Sequence, residues 1–125
     1  MCLSINDYNM LTIADIIHEL NLEVICGSGK LQQPVRGAYI SDLLSDVMGK
    51  AREGELWITM QTHKNILAVA ALKDLSAILI VNGGRPEKDM IGAAETEGIV
   101  LLGTQERTFA ACGKLYKLME RNALV

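Results

Sequence analysis

Residues 55–85 read ELWITMQTHKNILAVAALKDLSAILIVNGGR, and this stretch decides the fold. Two short apolar runs, Glu55–Met60 and Ala77–Val81, stand on either side of a longer segment of helical composition, Lys64–Leu75. A short apolar run bounded by polar residues and glycines is typical of a strand that is buried on both faces of a parallel sheet. The stretch therefore predicts a β-strand, an α-helix and a second β-strand that runs parallel to the first.

Polar loops follow these predicted strands and lie together at one edge of the sheet. Ligands of open parallel sheets bind outside the carboxyl ends of the strands, so we expect any binding site to lie at this edge. A third polar loop begins at Ser41, after an earlier predicted strand, Val35–Ile40. The candidate ligand-binding residues in the three loops are Ser41, Asp42, Gln61, Thr62, His63, Asn82, Gly83, Gly84 and Arg85.

The rest of the chain continues the alternation of strands and helices. Residues 1–10 are interpreted as an amino-terminal extension and residues 11–125 as a single α/β domain. Thr12 is a predicted N-cap for an amphipathic helix, and Leu22–Cys26 is a predicted first strand. Alternating strands and helices from Val35 onward predict a mostly parallel sheet of four to five strands flanked by helices.

Two helices carry apolar patterns that indicate what covers them. Ile66–Leu72 is apolar without a break, which is typical of a helix buried on every side. Its Leu67, Ala70 and Ala71 side is covered either by a second subunit or by the last helix of the same chain. That last helix repeats apolar residues at helical spacing, and its predicted buried side consists of Phe109, Cys112, Tyr116 and Met119.

Composition limits the classes of partner. The chain is 50% hydrophobic and only 4% aromatic, and its mean hydropathy of +0.22 favours apolar surface buried between subunits of a homodimer. A net charge of -3, with basic residues scattered singly, argues against nucleic acid as a partner. No apolar run approaches the length of a membrane span, and no signal peptide is visible, so we expect a cytoplasmic protein. The three cysteines lack the close spacing of metal or redox pairs and are predicted to be reduced thiols.

The glycine loop is the best candidate for ligand chemistry. Gly83 and Gly84 let the backbone approach a ligand closely, and the predicted helix that begins at Pro86 would offer unpaired N–H groups to an anion. Arg85 adds a guanidinium suited to phosphate or carboxylate. The alternative interpretation is a common turn between a strand and a helix, because the loop has neither of the glycine patterns of nucleotide-binding motifs.

The other polar residues give weaker indications. Thr62 is predicted to cap the helix that follows it. His63 in the first turn is interpreted as a hydrogen-bonding group, and the alternative is an acid–base catalyst. Asp42 and Asp46 are four residues apart and are interpreted as solvated acids at a helix start rather than as metal ligands. The single tryptophan, Trp57, is predicted to lie in the core or at an interface.

The order of these motifs resembles that of the DRTGG domain family. The similarity covers the chain from Leu11 to about Leu118, and it rests on four segments that occur in this order. Where many members of the family carry Asp-Arg this chain has Thr62-His63, and for Thr-Gly-Gly it has Asn82-Gly83-Gly84, so its ligand is expected to differ. The four segments are Gly37–Val47, Gly54–Thr59, Gln61–His63 and Asn82–Pro86.

The chain resembles the stand-alone branch of the family and, more distantly, the amino-terminal domain of HPr kinase/phosphorylase. This resemblance implies a fold and a function. It implies the fold of that amino-terminal domain, a regulatory role without an established reaction, and dimerisation. In other proteins, members of the family occur beside nucleotide-sensing domains, which implies a nucleotide or phosphate ligand. Stand-alone members encoded near iron-only hydrogenases imply the alternative, a subunit that interacts with a hydrogenase or another iron–sulfur redox protein. We expect no cofactor and no metal.

Overall fold

The computed structural model describes residues 10–125, so most of the predicted extension lies outside the described residues. The strands are β1 (Glu23–Cys26), β2 (Gly37–Ile40), β3 (Glu55–Thr59), β4 (Ala77–Ile80) and β5 (Leu101–Gly103). The α-helices are α1 (Ile13–Leu20), α2 (Leu44–Lys50), α3 (Asn65–Leu72), α4 (Lys88–Glu97) and α5 (Thr108–Arg121), and a short 3₁₀-helix covers Ser28–Lys30.

The five strands form one sheet in the order β1-β5-β4-β3-β2. Strands β2 to β5 are parallel and lie next to one another in chain order, whereas β1 pairs antiparallel with β5. The predicted α/β fold with a mostly parallel sheet of four to five strands is therefore confirmed, and the fifth strand is the antiparallel β1.

The helices divide into two layers. Because β2, β3, β4 and β5 follow one another across the sheet, right-handed crossovers place the three connecting helices on one face. The apolar clusters agree: α2, α3 and α4 pack with Trp57, Ile78 and Ile80. Helices α1 and α5 pack on the other face, with Ile58 and Leu79.

Alternation along the strands produces the two clusters, since successive side chains of a strand point to opposite faces. Every residue of β4 and the residues of β3 after Glu55 are buried, as expected for central strands covered by helices on both sides. Trp57 is fully buried, so the core interpretation of this residue is confirmed. No helix within residues 10–125 is long and apolar enough to cross a membrane.

Helix α3 is covered neither by a second subunit nor by the last helix, the two covers that the sequence suggested. Leu67 and Ala70 are 1% exposed and pack within the chain, in the layer formed with α2 and α4. The last helix, α5, lies on the opposite face of the sheet, so the prediction that it covers α3 is wrong. A second subunit is not needed for these two residues. The apolar residues left exposed on α3 are Ala68, Ala71 and Leu72, the last at 71%.

Helix α5 is rotated relative to its predicted buried side. Phe109 is 91% exposed and Tyr116 is 56% exposed, whereas Met119 is buried as predicted. The buried side consists of Ala111, Leu115, Leu118 and Met119, which pack against the sheet and α1. Both sets of residues recur at helical spacing, so the spacing alone could not distinguish them.

The predicted N-cap of α1 is confirmed, whereas the predicted starts of α3 and α4 are wrong. Thr12 caps α1 in a capping box, because its hydroxyl accepts from Asp15 N and the Asp15 carboxylate accepts from Thr12 N. Thr62 does not cap α3, whose N-cap residue is Lys64. Pro86 precedes α4 rather than beginning it, since the N-cap residue is Glu87.

Candidate functional site

The predicted site residues lie at the carboxyl edge of the parallel strands. The loops that follow β2, β3, β4 and β5 all emerge there, and β1 begins there because it runs in the opposite direction. Glu23, the first residue of β1, is paired in register with Gly103, the last residue of β5. The three predicted loops are therefore neighbours, and β1 and the loop after β5 also belong to this edge.

Asp42 joins the first of these loops to the second. Its carboxylate Oδ1 accepts from the Thr59 hydroxyl and from Met60 N, each at 2.7 Å. The carbonyl oxygen of Asp42 also accepts from Gln61 Nε2 at 3.0 Å. Asp42 and Gln61 thus hold the edge together, and Asp42 keeps an exposed position there.

Ser41 and Asp46 also accept hydrogen bonds from residues of the fold. The Ser41 carbonyl accepts from the buried Trp57 Nε1 at 2.8 Å, and both Asp46 oxygens accept from the Tyr39 hydroxyl, at 3.0 and 2.9 Å. Hydrogen bonds from the Ser41 side chain and from Tyr39 lower the pKa of Asp46 below its usual range. Asp42 is exposed and Asp46 lies in the first turn of α2, and each also accepts hydrogen bonds from its own donors. No group of three or more potential metal ligands occurs in the described part of the chain.

The glycine loop forms a tight turn. Asn82 has φ 61° and Gly83 has φ 67°, and Gly84 N donates to the Val81 carbonyl at 3.2 Å. Two successive left-handed residues closed by this bond have the geometry of a type I′ turn, for which Asn-Gly is the favoured pair. The turn interpretation accounts for Asn82 and Gly83 without a ligand.

The amides of this loop are paired within the chain. Asn82 N donates to the Glu106 carbonyl at 2.8 Å, and Gly83 N donates to the Thr104 carbonyl at 2.9 Å. With Gly84 N committed to the turn, all three amides have backbone acceptors, including those of Gly83 and Gly84 that were predicted to meet an anion. These bonds tie the loop after β4 to the loop after β5. That the loop binds an anion stays a prediction, and side chains rather than these amides are available for it.

Arg85 leaves the turn and pairs with the start of β1. Its Nη1 lies 2.8 Å from Glu23 Oε1 and 3.0 Å from Oε2. The two side chains are 64% and 51% exposed. Exposed ion pairs contribute little to stability, about 0–1 kcal/mol, so the guanidinium can exchange the Glu23 carboxylate for another anion at small cost.

Thr62 and His63 border the same turn. A side chain at Gly84 would lie 3.0 Å from Ile80 Cγ2 and 3.3 Å from Thr62 Cγ2, so a larger residue would crowd the loop. His63 Nδ1 accepts from Asn65 N at 3.2 Å, at the start of α3 where Thr62 was expected to act. The imidazole therefore orders the helix start.

The far side of the His63 ring faces an acidic side chain. His63 Nε2 lies 3.9 Å from Glu87 Oε1, and both side chains are more than half exposed. A catalytic dyad would require a shorter, shielded contact and a nucleophile in reach. The arrangement matches a solvent-exposed imidazole that accepts a hydrogen bond at the start of α3 and lies near a carboxylate.

Arg107 is the residue of this edge that sequence reasoning missed. It is the N-cap residue of α5, which has no side-chain cap. Its guanidinium makes no ion pair with residues 10–125. A cavity of about 440 Å³ lies beside it, lined by Asn82, Arg107, Thr108, Phe109 and Ala110. The apolar run Ile99–Leu102 reads as a strand in the sequence, and applying the strand-end rule to it would have pointed to this loop.

The position of this cavity follows from the two helix layers. The loop after β4 leads to α4 on one face of the sheet, and the loop after β5 leads to α5 on the other. Among the parallel strands this is the one adjacent pair whose following helices diverge, since α2, α3 and α4 share a face. Divergence of this kind opens a crevice at the carboxyl edge, where open α/β sheets bind ligands.

A larger cavity, of about 530 Å³, lies elsewhere on the molecule. Side chains of α1 and α5 line it, among them Glu19, Lys117 and Arg121. Arg121 pairs with Glu19 across it at 3.6 Å. No strand-end loop contributes to this cavity, so we favour the smaller one at the carboxyl edge.

The two described cysteines do not form a reactive site. Cys26 is buried and Cys112 is partly buried, and both are free thiols. Burial raises the pKa of each thiol, which keeps it protonated and unreactive at neutral pH. Cys2 lies outside the described residues.

The architecture defines a small α/β module with a crevice at the carboxyl edge of its sheet. The DRTGG domain model matches residues 15–118, and the chain belongs to the DRTGG domain family. No curated protein matches the chain.

A solved structure shares the fold. It contains the CBS and DRTGG domains of the regulatory region of Clostridium perfringens pyrophosphatase, in complex with the activator diadenosine tetraphosphate. The sequences are 17% identical and the TM-score is 0.69. The match covers 91% of this chain and 50% of the pyrophosphatase chain, so this protein spans about half the length of that regulatory region.

Proposed function

We propose that the protein is a non-catalytic regulatory module that binds a nucleotide, or another small phosphate-bearing anion, in the crevice between the β4 and β5 loops. The observation that carries this proposal is the divergence of α4 and α5 at the carboxyl edge. Asn82 and Arg107 line the cavity there, and Arg85 leaves the same glycine turn.

The charges at the edge support an anionic ligand. Arg107 has no carboxylate partner within residues 10–125, and Arg85 is held by one exposed carboxylate, that of Glu23. An incoming phosphate would take Arg85 from Glu23 and meet Arg107 at the start of α5, where the uncapped helix terminus also favours negative charge. Gln61 and Asp42 hold the neighbouring loop in place.

The nucleotide class is favoured by the structural relative, whose regulatory region is complexed with diadenosine tetraphosphate. A polyphosphate carries several negative charges, which suits two arginines placed on separate loops. The chain needs no catalytic group for such a role, and His63, the candidate acid–base residue, orders the start of α3 instead.

The experiment is a thermal-shift titration with diadenosine tetraphosphate, ATP, GTP, cyclic dinucleotides and inorganic phosphate. A ligand at 100 times its Kd stabilises the fold by about 2.7 kcal/mol, which raises the Tm by several degrees. We expect Arg85→Ala and Arg107→Ala to abolish the shift without unfolding the protein, because both side chains are exposed.

Arg121→Ala is the matched control. Arg121 is also exposed and paired with one glutamate, but it lines the cavity between α1 and α5. We expect this variant to keep the full shift. A shift that survives in Arg85→Ala and Arg107→Ala but disappears in Arg121→Ala would move the site to the other cavity.

A second candidate function is a subunit that docks onto a hydrogenase-related or other iron–sulfur protein. The observation in its favour is Leu72, which is 71% exposed on α3 beside exposed Ala68 and Ala71. This role requires a partner that co-purifies with the wild type and is lost in Leu72→Glu, together with no thermal shift from any nucleotide. Retention of the partner by Leu72→Glu would exclude α3 as the docking face.

A further inference from the structure

The crevice between the loops after β4 and β5 has an aromatic wall. Phe109, in the first turn of α5, lines the cavity together with Asn82 and Arg107, and its side chain is 91% exposed. Most of the surface that lines the cavity is apolar. An apolar wall gains most from a part of a ligand that is itself apolar, which a phosphate group is not. The crevice therefore suits a ligand that has a flat apolar part as well as negative charge.

The position of Phe109 in α5 explains why its ring lies at the crevice. Side chains of an α-helix lean towards the amino-terminal end of the helix. At that end of α5 the two loops meet, since Asn82 N donates to the Glu106 carbonyl at 2.8 Å. The buried side of the helix includes Ala111 and Leu115, so the core of the chain does not use the phenylalanine ring.

The next turn of α5 leaves the ring of Phe109 open. Residues four apart on a helix are neighbours, so the residue that would pack beside Phe109 is Gly113, which has no side chain. A Cβ added at Gly113 would meet no side chain of the described residues within 4 Å. Packing within the chain therefore does not explain the glycine, and the ring remains free to stack on a planar group.

The carboxamide of Asn82 gives the same cavity a polar edge. Its Nδ2 donates to the thioether sulfur of Met60 at 2.9 Å, and sulfur of this kind is a weak acceptor. No donor among residues 10–125 is bonded to its Oδ1. The amide therefore has a free acceptor and a second N–H hydrogen to offer to a bound group.

We propose that the crevice takes the base of an adenine nucleotide, stacked on Phe109 and bonded through its amino group to Asn82 Oδ1. This inference rests on the proposed function, because it assigns the base to the site whose arginines take the phosphates. On one edge of adenine the N6 amino group lies beside the acceptor N7, and the carboxamide of asparagine matches both. Stacking on an aromatic ring is tolerant of the base, so Phe109 sets the affinity and Asn82 the choice of base.

The same amide disfavours bases that carry an oxygen where adenine carries its amino group. Guanine and hypoxanthine present two acceptors, O6 and N7, on the corresponding edge. The Oδ1 of Asn82 would then face an oxygen and would be left without a donor. ATP and ITP differ in this one group of the base, so a comparison of the two isolates the contact.

The first test is isothermal titration calorimetry of the full chain with ATP and with inorganic tripolyphosphate. We expect Phe109→Ala to weaken ATP binding about tenfold and to leave tripolyphosphate binding unchanged, because only ATP has a base to stack. The variant should fold normally, since the side chain is exposed. Tyr116→Ala is the matched control: Tyr116 is an exposed aromatic residue of the same helix that does not line the crevice.

The outcomes separate the base from the anion site. Loss of ATP affinity in Arg107→Ala but not in Phe109→Ala would overturn the assignment of the base and leave the proposed function standing. An equal effect of Phe109→Ala and Tyr116→Ala on ATP would also overturn it. Failure of both ATP and tripolyphosphate to bind the wild type would overturn the proposed function and this inference together.

The second test concerns the choice of base and uses Asn82→Gly. Glycine readily adopts the left-handed backbone of this position, φ 61°, so the turn is kept while the amide is removed. We expect the wild type to bind ATP about tenfold more tightly than ITP, and the variant to bind the two nucleotides equally. A wild type that does not distinguish them, or a variant that still does, would refute the role of Asn82.

The third test detects the stacking directly by NMR. The chain contains one phenylalanine, so protein labelled at phenylalanine gives ring signals from Phe109 alone. We expect ATP to move these signals upfield through the ring current of the base and to produce NOE contacts with protons of adenine. Tripolyphosphate should produce neither effect. Ring signals that stay unshifted at saturating ATP would contradict the stacking.

Discussion

Polar side chains at the carboxyl edge form hydrogen bonds or ion pairs within the fold, and some of them are also exposed to solvent. Asp42 accepts two hydrogen bonds at 2.7 Å and Asp46 accepts the Tyr39 hydroxyl on both oxygens. Arg85 keeps an exposed ion pair with Glu23, which is its nearest described anion. The aspartates are therefore tied to donors of the fold, whereas the arginine can change partners.

Tyr39 and Asp46 give the stability of the fold a dependence on pH. Hydrogen bonds lower the pKa of Asp46 in the folded state. The stability that Asp46 contributes is therefore present above its pKa in the unfolded chain and is lost as the pH falls through its pKa in the folded chain. Desolvation, followed by the bond to Asp46, raises the pKa of Tyr39. The stability that Tyr39 contributes is complete below its unfolded pKa of about 10 and is lost as the pH rises through its pKa in the folded chain.

We expect Tyr39→Phe to raise the pKa of Asp46 towards its ordinary value, because the variant removes a hydrogen bond to the ionised carboxylate. The loss of stability below pH 4 should become smaller, and the tyrosine contribution to the loss at high pH should disappear. NMR titration of the Asp46 carboxyl carbon measures the first effect. Lys50→Gln is the control: Lys50 lies 3.7 Å from Asp46, contributes less than Tyr39, and should shift the titration less. An unchanged Asp46 titration in Tyr39→Phe would refute this account.

At the scale of elements, α3 shows why an apolar run does not identify its own neighbours. The run is continuous, but the structure buries Ile66, Leu67, Val69 and Ala70 and leaves Leu72 at the end exposed. The helix lies in the middle of the layer formed by α2, α3 and α4, so two helices and the sheet cover most of its surface. Its coverage comes from its own chain.

We expect Leu67→Ala to lower the free energy of unfolding by about 2–5 kcal/mol, as for a fully buried leucine. Leu72→Ala on the same helix should change it by about 0.5 kcal/mol or less, because the side chain is mostly exposed. Urea unfolding of both variants at one protein concentration makes the comparison. Equal losses in the two variants would mean that another chain covers Leu72 in solution.

At the scale of the whole molecule, the topology determines where a ligand can enter. Three successive crossovers place α2, α3 and α4 on one face, and the chain reaches the other face only after β5. The crevice therefore lies at β4 and β5 rather than at the loops after β2 and β3. Arg85 and Arg107 are on the two loops that border it.

The order of the strands predicts the pattern of hydrogen exchange. We expect the slowest amides in β3, β4 and β5, whose side chains are buried on both faces and which have a strand on each side. The edge strand β2 should exchange faster, since Ile40 is 49% exposed and one side of the strand is unpaired. Exchange followed by mass spectrometry or NMR tests this order. Protection of β2 equal to that of β4 would indicate a further strand paired to its edge.

The sequence by itself determined the strands, the mostly parallel sheet and the edge where polar loops meet. These follow from local properties: continuous apolar runs, the Thr12 cap and turn residues such as Asn82 and Gly83. The sequence also placed Arg85 at this edge, because the loop that follows a buried strand must emerge there.

Only the tertiary structure decided which groups meet and which face each helix presents. Arg85 and Glu23 are 62 residues apart and meet because β1 enters the sheet antiparallel to β5. On α5, two sets of apolar residues share helical spacing, and packing against α1 and the sheet selected the set that contains Leu115 over the set that contains Phe109. Periodicity specifies the spacing of a stripe but not the rotation of the helix, since the rotation depends on partners that are distant in the chain.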